Sequence, residues 1–180
     1  DAASCKALAS KLPPATAAWL TTNGFTGAAD THVLVPDPDG GLAQVFAGVS
    51  HAGDPFALAA LPMALPLGHY RLSDHGLQLP QDLAALAWSL GSYHFGRYKT
   101  RRRAPASLIM RTSAAAKRGM AQAEATTMVR DLVNTPAEHM GPPDLARAAQ
   151  DLARRHGARI SQVQGEALLK ENFPAIHAVG

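Results

Sequence analysis

The stretch from Ser113 to Val133 constrains this chain more than any other. Ala121, Ala125, Met128, Val129, Leu132 and Val133 recur there at helical spacing and predict one apolar side. Ser113 is suited to cap the N-terminus, because its hydroxyl can accept one of the backbone N–H bonds that a first helical turn leaves open. Pro136 disfavours helical geometry at Thr135, which predicts an end near Asn134. A helix so long and so narrowly amphipathic suits a connector between two domains. The expected organisation is an N-terminal domain over residues 1–112, a linker helix over 113–135 and the start of a second domain over 136–180.

Ahead of the linker, short apolar segments alternate with breakers. Ala15, Ala18 and Trp19 predict a helix over Pro14 to Thr22, closed by Asn23-Gly24. His32 to Val35 and Leu42 to Val49 predict two strands, paired as a hairpin across Pro36-Asp37-Pro38-Asp39-Gly40-Gly41. A helical piece around Phe56 to Leu61 and a strand over Gly68 to Leu72 follow, with Asp74 and Gly76 marking the next turn. Pro80 opens a helix whose predicted face is Leu83, Leu86, Ala87, Leu90 and His94. A basic loop, Arg97 to Arg103, leads into a buried strand over Ser107 to Met110. Together these predict an α/β unit with a mixed sheet.

Beyond the linker, Pro142 or Pro143 opens a helix expected to bury Leu145, Ala148, Ala149 and Leu152. Arg154, Arg155 and His156 suit the negative end of its dipole, and Gly157 its cap. Strands over Arg159 to Val163 and Ala175 to Val179, flanking a short helix over Glu166 to Glu171, predict the opening β-α-β of a second α/β domain. So short a layer buries too little surface to offset chain entropy by itself, and the chain is expected to be a truncated or cleaved polypeptide.

Hydrophobic residues make up 47% of the chain and charged residues 17%, the balance of a globular protein rather than a disordered one. No apolar run approaches the ~20 residues of a membrane-spanning helix, so no membrane partner is expected. The first dozen residues do not resemble a secretory signal. Cys5 is the sole cysteine, which excludes an intrachain disulfide and a cysteine-based zinc site and fits a reducing compartment such as the cytoplasm. Its terminus is expected to be mobile.

Candidate sites are few. There is no His-Glu-x-x-His; Glu138-His139 lacks a second histidine, and the pair His69 and His75 falls on no common helix face. His94 reads as a satisfied residue. Gly40-Gly41 and Gly24 to Gly27 read as a turn and a cap rather than a phosphate cradle, and no Gly-x-Ser-x-Gly is present. The run holding Arg97, Lys99, Arg101, Arg102 and Arg103 around Tyr98 is the strongest charge feature and a possible contact for nucleic acid or another subunit. A net charge of +3 falls short of a domain-wide basic footprint.

Three segments carry a family resemblance. Val129-Arg130-Asp131-Leu132-Val133-Asn134-Thr135-Pro136-Ala137-Glu138-His139-Met140-Gly141-Pro142 resembles the junction Leu-x-Asn-x-Pro-x-Asn-x-Met-x-Pro of the two-metal leucyl aminopeptidases, the cytosol aminopeptidase family; Glu138 stands where the family often has Asn. Residues 165–180 are similar to the opening of that family's catalytic domain, and Tyr93 to Lys99 resembles an aromatic-basic segment of its N-terminal domain. The resemblance covers roughly residues 14 to 180.

The resemblance implies a macro-domain-like N-terminal unit, a linker helix and a catalytic domain acting on peptide substrates. Two divalent metals, Mn or Zn, would there polarise the peptide carbonyl and activate water. It further implies a hexamer whose N-terminal domains surround the catalytic core, and DNA binding in some members. The family's ligands sit in Lys-Gly-x-x-x-Asp-[Ser/Thr]-Gly-Gly and Asn-Thr-Asp-Ala-Glu-Gly-Arg segments. Neither occurs in this sequence, and both are expected beyond Gly180. No catalytic or metal-binding residue is therefore carried over, and the chain is expected to serve assembly and access.

Overall fold

The computed structural model describes residues 2–73 and 77–179; the turn predicted at Asp74 and Gly76, and His75, lie outside them. The chain divides into two compact units, Asp1–Asp131 and Leu132–Gly180.

The first unit opens with α1 (Ala2–Ala9) and α2 (Pro14–Thr22). Cys5 was expected in a mobile terminus; it sits instead on α1, with its Sγ 3.7 Å from the Phe25 carbonyl oxygen. Strands β1 (His32–Pro36) and β2 (Leu42–Ala47) form the predicted antiparallel hairpin, His32 opposite Ala47 and Val35 opposite Gln44. Its turn is built by Asp37, whose Oδ1 accepts the N–H groups of Asp39 at 3.0 Å and Gly41 at 2.6 Å. The Trp19 indole N–H donates to the Leu34 carbonyl at 3.0 Å and ties α2 to β1. Strand β2 stops at Ala47 rather than Val49; the Gly48 N–H still donates to the Thr31 carbonyl at 2.8 Å, in register with the ladder.

Residues 55–60 form turns, and the helical piece predicted there is displaced to α3 (Leu61–Ala64), with Pro62 in its first turn. Strands β3 (His69–Tyr70) and β4 (Ser107–Leu108) pair in parallel. Antiparallel and parallel pairing are thus both present, but as two separate two-stranded ladders rather than one mixed sheet.

Helix α4 (Gln81–Gly91) crosses the core that Leu58, Leu61 and Leu65 share with Ala84, Ala87, Trp88 and Ala106. Its buried face is Ala84, Ala85, Ala87 and Trp88, rotated from the predicted Leu83, Leu86 and Leu90, which are half-buried. Trp88 decides the rotation: its indole N–H reaches the Ala106 carbonyl at 3.0 Å, and a buried indole needs such an acceptor. His94, predicted on this helix, lies beyond its end and is exposed.

Helix α5 (Ala114–Asn134) starts as predicted, the Ser113 hydroxyl accepting the Ala116 N–H at 3.0 Å. Its buried residues are Ala116, Gly119 and Ala123; the predicted Ala121, Ala125, Val129 and Val133 are exposed. Small residues win because α4 comes very near: a Cβ on Gly119 would lie 2.1 Å from the Asp82 carbonyl oxygen.

In the second unit, a 3-10 turn (Ala137–His139) precedes α6 (Pro142–His156). The Asp144 carboxylate accepts the Gly141 N–H at 3.1 Å, and Gly157 closes the helix in the left-handed conformation, φ 63°. Ala153 is buried, while Leu145 and Ala149, expected to be, are exposed. The opening β-α-β is not formed. Residues 159–163 have no regular structure, α7 (Ala167–Lys170) follows, and Pro174–Val179 is helix α8 rather than a strand. A strand needs a neighbour to bond, and no strand is present among the described residues of this unit. A helix bonds within itself: Pro174 suits a first turn, and the His177 N–H reaches the Phe173 carbonyl at 3.1 Å.

Candidate functional site

The basic run predicted as a contact is divided by the fold. Helix ends leave carbonyls without intrahelical partners and carry partial negative charge, so both favour a guanidinium. Arg101 donates to the carbonyl of Ser92, just past α4, and to the Met63 sulfur at 3.8 Å. Arg103 donates to the carbonyls of Met63, at 2.7 Å, and Leu65, both at the end of α3. These two arginines tie the loop to its neighbours, Arg101 half-buried and Arg103 still exposed. Arg97, Lys99 and Arg102 are left exposed, with the Arg97 guanidinium 5.7 Å from the centre of the Tyr98 ring. Four exposed cations, one of them tied to α3, fall short of the basic footprint that nucleic acid requires.

The aromatic residues of this segment are equally committed. Phe95 and Tyr98 meet edge to face at 5.7 Å, and the His94 ring nitrogen Nε2 lies 2.8 Å from the Lys99 carbonyl oxygen. The Tyr93 hydroxyl donates to the Asp131 carboxylate at 2.8 Å, while the Arg130 guanidinium lies 5.3 Å from the same ring's centre. The loop after α4 is thus fastened to α3, α4 and the far part of α5.

The remaining candidates stand in structural roles. Gly40-Gly41 forms the hairpin turn, Gly24 follows α2 with φ 64°, and Glu138 and His139 lie on the 3-10 turn. Among the described residues no three His, Cys, Asp or Glu side chains converge as a metal-holding group. The described residues thus offer no group that fits the two-metal centre the resemblance implies. Among the described residues no helix is long and apolar enough to cross a membrane.

The first unit also holds an open depression. A cleft of about 480 Å³ lies between α4, β4 and α5, with Trp88, Leu108, Met110 and Met120 on its walls and Arg111, Lys117 and Glu124 among its polar groups. It was not legible beforehand, because its walls come from three segments whose facing depends on how the helices cross. The roles of Arg101 and Arg103 were hidden for the same reason: the carbonyls they serve lie far away in sequence.

Comparison with known proteins places these features. The family described as "M17 aminopeptidase, N-terminal domain" matches residues 4–111, and "Cytosol aminopeptidase family, catalytic domain" matches residues 127–180. A probable cytosol aminopeptidase of Streptomyces coelicolor is 30% identical over 204 residues, covering 91% of this chain and 40% of the relative. One from Mycobacterium ulcerans is 33% identical over 101 residues, 51% of this chain and 20% of the relative. The crystal structure of cytosol aminopeptidase from Coxiella burnetii superposes with a TM-score of 0.85 at 34% identity, over 96% of this chain and 38% of that one. The bottromycin maturation enzyme BotP, solved in complex with Mn, superposes at 0.68 and 27% identity, over 85% of this chain and 36% of that one. This chain therefore spans two fifths or less of the length of each of these relatives.

Proposed function

The chain belongs to the M17 aminopeptidase family, and from that premise we propose that it is the N-terminal portion of a leucyl aminopeptidase, a metal-dependent enzyme that removes N-terminal residues from peptides. Residues 1–112 act as the N-terminal, macro-domain-like unit, residues 113–135 as the linker helix and residues 136–180 as the opening of the catalytic domain. The observation that carries this is the order of the two family matches along one chain, together with the superposition on the Coxiella burnetii enzyme over 96% of its residues.

Within that enzyme this region serves assembly and access. Hydrolysis is assigned to the part of the relatives that this chain does not span, where the ligand segments implied by the resemblance would lie. Manganese or zinc is the expected metal, a choice supported by the Mn complex of BotP. A hexamer in the cytoplasm is the expected setting; the name cytosol aminopeptidase, borne by the relatives, supports the location. Arg97, Lys99 and Arg102, exposed on the loop after α4, are the residues proposed for a subunit contact.

Hydrolysis of a leucine anilide tests the proposal. Purified 1–180 should be inactive even with added Mn or Zn, whereas the complete product of its reading frame should turn the substrate over and lose activity on chelation. Metal-dependent turnover by 1–180, or a complete product without such activity, would overturn it.

A further inference from the structure

We propose that the cleft between α4, β4 and α5 is a docking site for an acidic peptide segment of a partner molecule. An apolar side chain of the partner enters against Leu108, Met110 and Met120, and neighbouring carboxylates meet Arg111 and Lys117.

The shape and the charge carry this together. At about 480 Å³ the cleft falls within the range of ~300 to 1,000 Å³ over which proteins hold ligands or side chains. Its apolar walls include the thioethers of Met110 and Met120, the latter 46% exposed, and unbranched methionines adapt to varied apolar partners. Its frame is stiff, since Gly119 sits against the Asp82 backbone and Arg118 pairs with the Asp82 carboxylate at 3.5 Å. Arg111 and Lys117 are exposed, and neither side chain has a hydrogen-bond or ion-pair partner among the described residues.

Of the charged residues on the cleft's wall, Arg111 and Lys117 are cations and Glu124 alone is an anion, so the wall carries a net positive charge that attracts anions. Glu124, the one carboxylate on the cleft's wall, lies seven residues past Lys117, about 10 Å along α5. It confines the partner's negative charge to the Arg111 and Lys117 side.

A peptide fits better than a nucleic acid. Base stacking needs an open aromatic face, whereas Trp88 is 7% exposed and bonded to Ala106. The open walls are aliphatic and thioether surface, which suits a leucine-like side chain.

The test is fluorescence anisotropy of the 1–180 chain with a labelled, end-blocked peptide of alternating Glu and Leu, beside a Lys and Leu peptide and a single-stranded oligonucleotide. The Glu and Leu peptide should bind saturably and in preference to both. The double variant R111E/K117E should weaken it by about tenfold or more, as charge reversal at a matched interface does. Met120→Glu, at a position 46% exposed, should weaken it similarly, and R97E/R102E, outside the cleft, should leave it unchanged. Absence of saturable binding, an affinity indifferent to R111E/K117E and Met120→Glu, equal loss in R97E/R102E, or preference for the oligonucleotide would each overturn the proposal.

Discussion

The two tryptophans of the chain make the same bond in different surroundings, and replacing each by phenylalanine separates burial from bonding. Trp88 is 7% exposed and donates to the Ala106 carbonyl, itself on a residue 1% exposed. Trp88→Phe removes that donor where water cannot take its place, which costs about 1 to 3 kcal/mol for the stranded acceptor. The smaller ring leaves a void worth about 1 kcal/mol more. The sum, about 2 to 4 kcal/mol, is a large share of the ~5 to 15 kcal/mol by which domains are stable.

Trp19 donates to the Leu34 carbonyl at the same 3.0 Å but is 42% exposed. Water replaces its indole there, and Trp19→Phe should cost no more than about 1 kcal/mol. Urea unfolding followed by far-UV circular dichroism measures both. With a slope of ~2 kcal/mol per molar, the Trp88 change should lower the midpoint by about 1 to 2 M. Equal losses in the two variants, or a loss below about 0.5 kcal/mol for Trp88→Phe, would refute Trp88 as the anchor of α4.

Two further outcomes follow from local geometry. Gly119→Ala puts a methyl 2.1 Å from the Asp82 backbone oxygen, so α4 and α5 must part; a loss of about 1 to 3 kcal/mol in the same urea assay is expected, and no loss would mean that the contact is loose. The Ser50 hydroxyl bond, then the Phe56 N–H, hold the exposed Asp54 carboxyl below its ordinary pKa of 3.8. A lowered carboxylate pKa contributes stability that is present above the unfolded value and lost as pH falls through the folded one. Ser50→Ala should therefore raise the Asp54 pKa towards 3.8 in an NMR titration and shrink that acid-side loss; an unmoved Asp54 would contradict the assigned cause.

What was legible in advance was chemistry closed within a few residues. Asp37 folds back on Asp39 and Gly41, Ser113 caps Ala116, and Gly157 takes a left-handed φ past Arg154, Arg155 and His156. The family junction around Pro136 was legible in the same way, as a short pattern. Which face of a helix is buried was not. Helical periodicity marks where apolar residues recur, yet α4 turned on the acceptor available to Trp88 and α5 on how closely Gly119 lets a neighbour come. In the candidate site, the positive run from Arg97 to Arg103 was visible at once, while the division between Arg101 and Arg103, bonded to distant carbonyls, and Arg97, Lys99 and Arg102 was not.

Local chemistry along the chain thus fixed the bounds of α2 and α5 and the place of the β1–β2 turn, and which family the chain resembles, because turns, caps and motifs act between near neighbours. Tertiary structure decided the pairing of β3 with β4, the helical state of Pro174–Val179 and the existence of the cleft. Each of these depends on an acceptor, a neighbouring strand or a facing surface that lies far along the chain or is absent, and no local pattern encodes such a partner.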